Sequence, residues 1–218
     1  MDWSPLYISV KIAVVSTVIT FFLGIIAARA VVSMKRLKFL VDTVFSLPLV
    51  LPPTVVGFFL LILFGKNTAF GSFLTRIGIE IVFTWQGAVI AATVVSFPIM
   101  YRTMRGAFEQ VDRELIDVAR LFGCGRLRTI MKVWIPLSWP GVVSGLTLSF
   151  ARALGEFGAT IMIAGNLPGK TRTMSVAVYT AMQSGDRQQA YLWTGVILAM
   201  SFAMLLAINY LTERKYRK

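Results

Sequence analysis

The 218-residue chain contains no histidine and a single cysteine, Cys124. Without histidine, neither a Ser/His/Asp triad, an HExxH zinc site nor a Cys/His zinc cluster can be assembled. One cysteine excludes an intrachain disulfide. A Walker-type phosphate loop is also missing, because Gly123-Cys124-Gly125 has neither the lysine nor the spacing, so the chain does not bind ATP in that way. No Gly-x-Ser-x-Gly elbow occurs, and no pair of intramembrane carboxylates suggests an aspartyl dyad. Acidic residues are few, 10 Asp and Glu against 22 Lys and Arg. No catalytic residue and no metal ligand is therefore expected. The acidic start Met1-Asp2-Trp3-Ser4-Pro5 argues against a cleavable leader, and the apolar run behind it is long enough to span.

What the chain has in abundance is apolar sequence: 56% hydrophobic residues and a mean hydropathy of +0.73 mark a polytopic membrane protein lying in a lipid bilayer. In a soluble protein a net charge of +12 would point to nucleic acid. Here the cations collect in the connections between apolar runs, so no nucleic-acid partner is expected. A spanning helix needs roughly 20 apolar residues, and five segments qualify, at about 6–28, 41–64, 87–104, 136–154 and 192–211. Arg29, Lys35, Arg36 and Lys38 fill the first connection. Arg102, Arg105, Arg113, Arg120, Arg126, Arg128 and Lys132 fill the third, and Arg214, Lys215, Arg217 and Lys218 form the tail. The positive-inside rule then sets the N-terminus outside and the C-terminus in the cytoplasm. The expected fold class is an all-α integral membrane protein, one domain over 1–218 with its core at about 6–211.

A basic insert at about 109–132 interrupts the apolar pattern on the cytoplasmic side. Val111, Leu115, Val118, Ala119 and Phe122 recur at the spacing of one helix face, and Glu109, Asp112, Arg113, Glu114, Asp117 and Arg120 mostly occupy the other positions. Gly123 and Gly125 supply a helix stop. A second short period follows at Leu127, Ile130, Met131 and Trp134. Two short helices joined by a glycine turn outside the bilayer make a part that another protein can grip.

Three features lie within the spans. Pro48, Pro52 and Pro53 in Ser46–Thr54 force the second span to bend or break, either as a packed kink or as backbone lining a water-filled path. Gly141, Gly145, Ser149 and Ala153 put small residues every fourth position, which suits close helix contact or a narrow conduit face. Arg152 and Glu156 stand one turn apart and must pair or face water, as a helix-end ion pair or with Arg152 bordering the pathway. Residues 155–186 read as an outward loop with a re-entrant or partly helical piece.

The insert resembles a known motif. Asp117-Val118-Ala119, three residues, Gly123, nine residues, then Val133-Trp134-Ile135-Pro136 is similar to the "EAA" motif, Glu-Ala-Ala-x3-Gly-x9-Ile-x-Leu-Pro, of the permease subunits of binding-protein-dependent ABC importers. Asp117 and Val118 replace its first Glu and Ala. Residues 46–57, Phe150–Thr160 and Gly165–Thr173 resemble the molybdate-importer permeases, with sulfate permeases as near relatives. The resemblance implies a type I ABC importer permease fold in the inner, cytoplasmic membrane. It further implies a homodimer, two cytoplasmic ATPase subunits and an extracytoplasmic molybdate-binding protein. ATP and Mg would be bound by the ATPase partner, leaving no cofactor in this chain. Glu114, Asp117, Ala119, Arg120 and Gly123 would carry coupling to the ATPase, and Pro48, Pro52, Pro53, Ser149, Arg152 and Glu156 would lie along the translocation pathway. A sulfate, tungstate or other oxyanion permease is the alternative within the family. An intramembrane enzyme or assembly factor is the alternative outside it.

Overall fold

The computed structural model describes residues 2–34 and 36–216; the side chains of Arg113, Arg120, Arg126 and residues 207–216 lie outside the description. The described chain is helical. Helix α1 (Ser4–Ser33) is followed by α2 (Lys38–Val50), α3 (Pro53–Phe64), α4 (Ala69–Arg76) and α5 (Trp85–Glu109). Then come α6 (Arg113–Leu121), α7 (Arg126–Thr129), a π-helical turn (Ile130–Trp134), α8 (Ile135–Leu137) and α9 (Trp139–Leu154). The chain closes with α10 (Gly158–Ala164), α11 (Met174–Gln183) and α12 (Arg187–Tyr216).

Helices α1, α5 and α12 are each long and apolar enough to cross a membrane. Two further spans exist if each of two bent pairs is counted as one: α2 with α3, bent by 109°, and the α7–α8 stretch with α9, bent by 81°. The expected second span is therefore two helices, because Pro52 has no N–H to continue α2 and Pro53 starts α3 at the position where a missing donor is harmless. The partly helical piece expected within 155–186 is α10 together with α11.

Helix α1 carries apolar residues on all sides, with Lys11 and Arg29 as its charged residues, yet its small residues select a packing face. Ser9, Ala13, Ser16, Thr17, Thr20, Gly24 and Ala28 are buried, while Val14, Val18, Phe22 and Ile26 are exposed. Thr17 donates to the Ala13 carbonyl of its own helix at 2.6 Å and Thr20 to that of Ser16 at 2.6 Å, while the Ser9 hydroxyl accepts the Met174 N–H at 2.8 Å. These hydroxyls are thereby satisfied, and α5 can come near: a Cβ on Gly24 would lie 2.5 Å from Met100 Cγ.

Two apolar clusters fill the ends of the bundle. One gathers Ile12, Val56, Leu60, Ala88, Ala92, Ile163 and Met174. The other gathers Val31, Met104, Phe108, Val111, Ile116, Trp134 and Val142 and seats the insert on α1 and α5.

Candidate functional site

The insert begins where Asp112 Oδ1 accepts the Glu114 N–H at 3.0 Å, satisfying one of the open donors of α6. It ends at Gly123, whose φ of +75° is the left-handed conformation a Cβ disfavours. The Phe122 N–H reaches the Val118 carbonyl at 3.1 Å and the Cys124 N–H the Ala119 carbonyl at 3.0 Å, closing the helix end.

One α6 residue, Ile116, turns into the bundle at 7% exposure. The apolar stripe expected to share a face with Val111 points the other way. Leu115 and Val118 are exposed, and Leu121 and Phe122 are 86% and 84% exposed. Val111 precedes the helix, so its inward direction does not carry along the stripe. Leu127 and Met131 continue this outward apolar surface. Of the expected coupling residues, Glu114 and Asp117 are exposed, Ala119 is half-buried and Gly123 is exposed. The Arg120 side chain lies outside the described residues.

Behind the insert, Trp134 ties it to two spans. Its ring stacks on Phe108 of α5 at 5.1 Å between centroids, and the Arg29 guanidinium of α1 lies 4.2 Å over it. The π-helical turn delivers this ring: the Ile135 N–H reaches back five residues to the Ile130 carbonyl, and the next residue, Pro136, has no N–H for a regular ladder. At the following bend, the Ser138 hydroxyl donates to the Ala107 carbonyl of α5 at 3.2 Å. A cavity of about 810 Å3 lies beneath α6, lined by Arg29, Lys38, Glu109, Asp117 and Trp134 among others.

A polar network absent from the sequence expectations joins α2 to α5. Asp42 pairs with Arg105 and accepts the Tyr101 hydroxyl at 2.8 Å. Glu109 receives Arg105 Nε at 3.1 Å and Lys38 Nζ at 2.9 Å. An acid within the second expected span, Asp42, and a cation just beyond the end of the third, Arg105, were the available signal.

The pathway residues fall into two groups. Arg152 Nη1 donates to Glu156 Oε2 at 2.5 Å, and Glu156 Oε1 accepts the Ala159 N–H at 2.7 Å. Glu156 is only 2% exposed, so it serves as both ion-pair partner and cap for α10. The start of α10 abuts that of α3: a Cβ on Gly158 would stand 3.1 Å from Pro53 Cβ and from the Thr54 nitrogen. Pro53, Arg152 and Glu156 thus gather where α3, α9 and α10 meet. Pro48 lies within α2 and Pro52 at the bend. Ser149 is buried on the face of α9, its hydroxyl without a partner among the described residues. In the same stripe, Gly141 and Gly145 admit Ala107, Thr103 and Met100 of α5, which is close helix contact. Among the described residues no group of three or more His, Cys, Asp or Glu could hold a metal ion.

The family model described as binding-protein-dependent transport system inner membrane component matches residues 20–218. YvgM of Bacillus subtilis (strain 168), which carries a molybdenum transport system permease name, is 40% identical over 212 residues, 95% of this chain and 92% of that protein. The molybdenum transport system permease protein ModB of Escherichia coli (strain K12) is 40% identical over 215 residues, 97% and 94% of the two chains. The sulfate transport system permease protein CysT of Salmonella typhimurium is 37% identical over 179 residues, 82% of this chain and 65% of that protein. Among solved structures, a bacterial ABC transporter involved in alginate import matches with a TM-score of 0.78 at 16% identity, covering 97% of this chain and 78% of that one. The MetNI methionine ABC transporter matches with a TM-score of 0.72 at 16% identity, covering 96% and 94%. These structures establish the fold.

Proposed function

Because this chain belongs to the family of binding-protein-dependent transport system inner membrane components, we propose that it is the permease of an ATP-driven importer that moves molybdate into the cytoplasm. It is a multi-pass membrane protein and a transport subunit. The observation that carries the mechanism is the outward apolar face of α6. Leu121 and Phe122 are almost fully exposed and Leu115 and Val118 about half exposed, in an insert rich in charged residues. A contiguous apolar patch with a polar rim is the signature of a docking surface.

The occupant is a cytoplasmic ATPase subunit, one on each of two permease copies, which binds ATP with Mg2+ and supplies the energy. Glu114, Asp117, Ala119, Arg120 and Gly123 form the coupling end. Movement of α6 passes through Trp134 to α1 and α5, and through the Ser138 bend to α9. From α9 it reaches the junction of Pro53, Arg152 and Glu156, where α3 and α10 meet. Pro48, Pro52 and Ser149 lie along the same route. A molybdate-binding protein delivers the anion to the opposite, outer face, where the N-terminus lies; the C-terminus is cytoplasmic. The substrate rests on the molybdenum permeases that match nearly the whole chain, whereas the sulfate permease matches less of it.

Labelled molybdate uptake in cells lacking the chain, and with it restored, tests this function. Uptake should depend on the chain and be competed by tungstate far better than by sulfate. Loss of sulfate uptake in its place would keep the architecture and reject the substrate.

A further inference from the structure

The end of the bundle away from α6 holds a cavity of about 510 Å3 between the first turns of α1, the α4–α5 connection and the α10–α11 connection. Tyr7, Lys11, Phe83, Trp85 and Lys170 are among its lining residues. Lys11 stands about 10 Å along the axis from Ser4, at 1.5 Å per residue. Its ammonium lies 3.6 Å from the centroid of the Trp85 ring, close enough for the ring's negative face to hold it. Phe83 is a fixed part of the cavity wall. Its φ is +59°, its N–H donates to the Ile163 carbonyl at 2.9 Å, and its ring lies against Gly165.

The charge in this cavity is of one sign. Neither Lys11 nor Lys170 has a carboxylate partner among the described residues. Asp2, the carboxylate nearest in sequence to Lys11, is engaged by Ser4, whose N–H donates at 2.9 Å and whose hydroxyl donates at 2.7 Å. These bonds hold the Asp2 acid below the usual carboxylate range, and Asp2 lines a different cavity, with Arg172 and Asp186. Two lysines lining one cavity give it a positive potential that favours an anion.

We propose that this cavity is a phosphate-binding site for the head group of an anionic phospholipid, held by Lys11 and Lys170 beside Trp85. Exposed Tyr7 and Phe83 at the cavity, and exposed Val14 and Val18 further along α1, supply apolar surface for the acyl chains. Lysine reaching toward a head group from within a helix, with tryptophan at the same level, is how membrane proteins meet the interface. A free tetrahedral oxyanion would satisfy the lysines but would leave that apolar surface without a role.

The full chain, purified in detergent with dioleoyl-phosphatidylglycerol or dioleoyl-phosphatidylcholine, provides the test through native mass spectrometry of retained lipid. Wild type should retain the anionic lipid at least about fivefold better than the zwitterionic one. Lys11→Gln with Lys170→Gln should abolish that preference, and Lys11→Arg with Lys170→Arg should keep it. The exposed single variant Lys170→Gln should lose part of it without disturbing the fold. Equal retention of both lipids by wild type, or an unchanged preference in the glutamine pair, would overturn the site. In a further arm, inorganic phosphate or molybdate at millimolar concentration is added to the lipid-bound chain. Retention of the lipid supports the head-group source, and displacement that depends on both lysines would transfer the same site to a free oxyanion.

Discussion

Gly57 and Gly106 show at the residue scale that a helical glycine matters through what lies next to it. A Cβ on Gly57 would meet Ala159 Cα and Met162 Cβ at 2.7 Å each, where α3 crosses α10. Around Gly106 of α5 nothing lies within 4 Å of that position. Gly57→Leu should therefore destabilise the protein by about 1–3 kcal/mol through overpacking. Gly106→Ala should be neutral or gain up to about 1 kcal/mol of helix propensity. Thermal melting of the two purified variants checks the contrast. Gly123 is a third case, with nothing among the described residues within 4 Å of a Cβ there and a φ of +75°. Gly123→Asp should leave the protein in the membrane and abolish uptake, because the end of α6 rather than its packing is disturbed. Immunoblotting of membranes together with transport measures both halves, and wild-type uptake would refute the coupling role. Gly123 was legible in the sequence because the stop is local. Asp42 was not assigned a role, because its partners Tyr101 and Arg105 are 59 and 63 positions away and become neighbours only when α2 packs on α5.

Among elements, those with a uniform pattern were readable and those defined by their neighbours were not. Long apolar runs announced α1, α5 and α12, although charged ends extend them: α5 runs to Glu109 because Arg105 and Lys38 neutralise that carboxylate. The three prolines signalled a break in the second span, but not its angle of 109°. The short helix α4 lacks the length for a periodic signal; a partly helical piece was expected where α10 and α11 stand, but the cap that Glu156 gives α10 from just outside it was not. Spacing left Arg152 and Glu156 either paired or facing water; the structure has them paired, and the burial and capping role of Glu156 were not visible. The α2–α5 clamp carries a prediction of its own. Asp42→Asn breaks a half-buried pair and should lower the melting temperature measurably, since the remaining partner loses compensation for its lost water. Lys66→Gln, in the exposed Lys66–Glu80 pair, should leave melting unchanged within error, because such pairs contribute about 0–1 kcal/mol.

For the whole molecule, the two ends of the bundle have different chemistry. One carries the α6 insert with apolar residues facing outward, and the other carries Lys11, Lys170 and Arg172 among hydroxyls and aromatic rings. Between them, small residues on α1 and α9 draw the helices against α5, so movement at the insert acts on a tightly packed body. The central claim is that energy enters this body through the outer face of α6 from a separate ATPase. ATP-dependent molybdate uptake into proteoliposomes containing the full importer, with the permease carrying Leu121→Glu and Phe122→Glu, tests it most directly. The double variant should remain in the membrane and melt like the wild type, since both side chains are exposed. It should also lose co-purification of the ATPase and reduce uptake to background. Uptake and ATPase retention equal to the wild type would contradict the claim and place the energy input elsewhere on the chain.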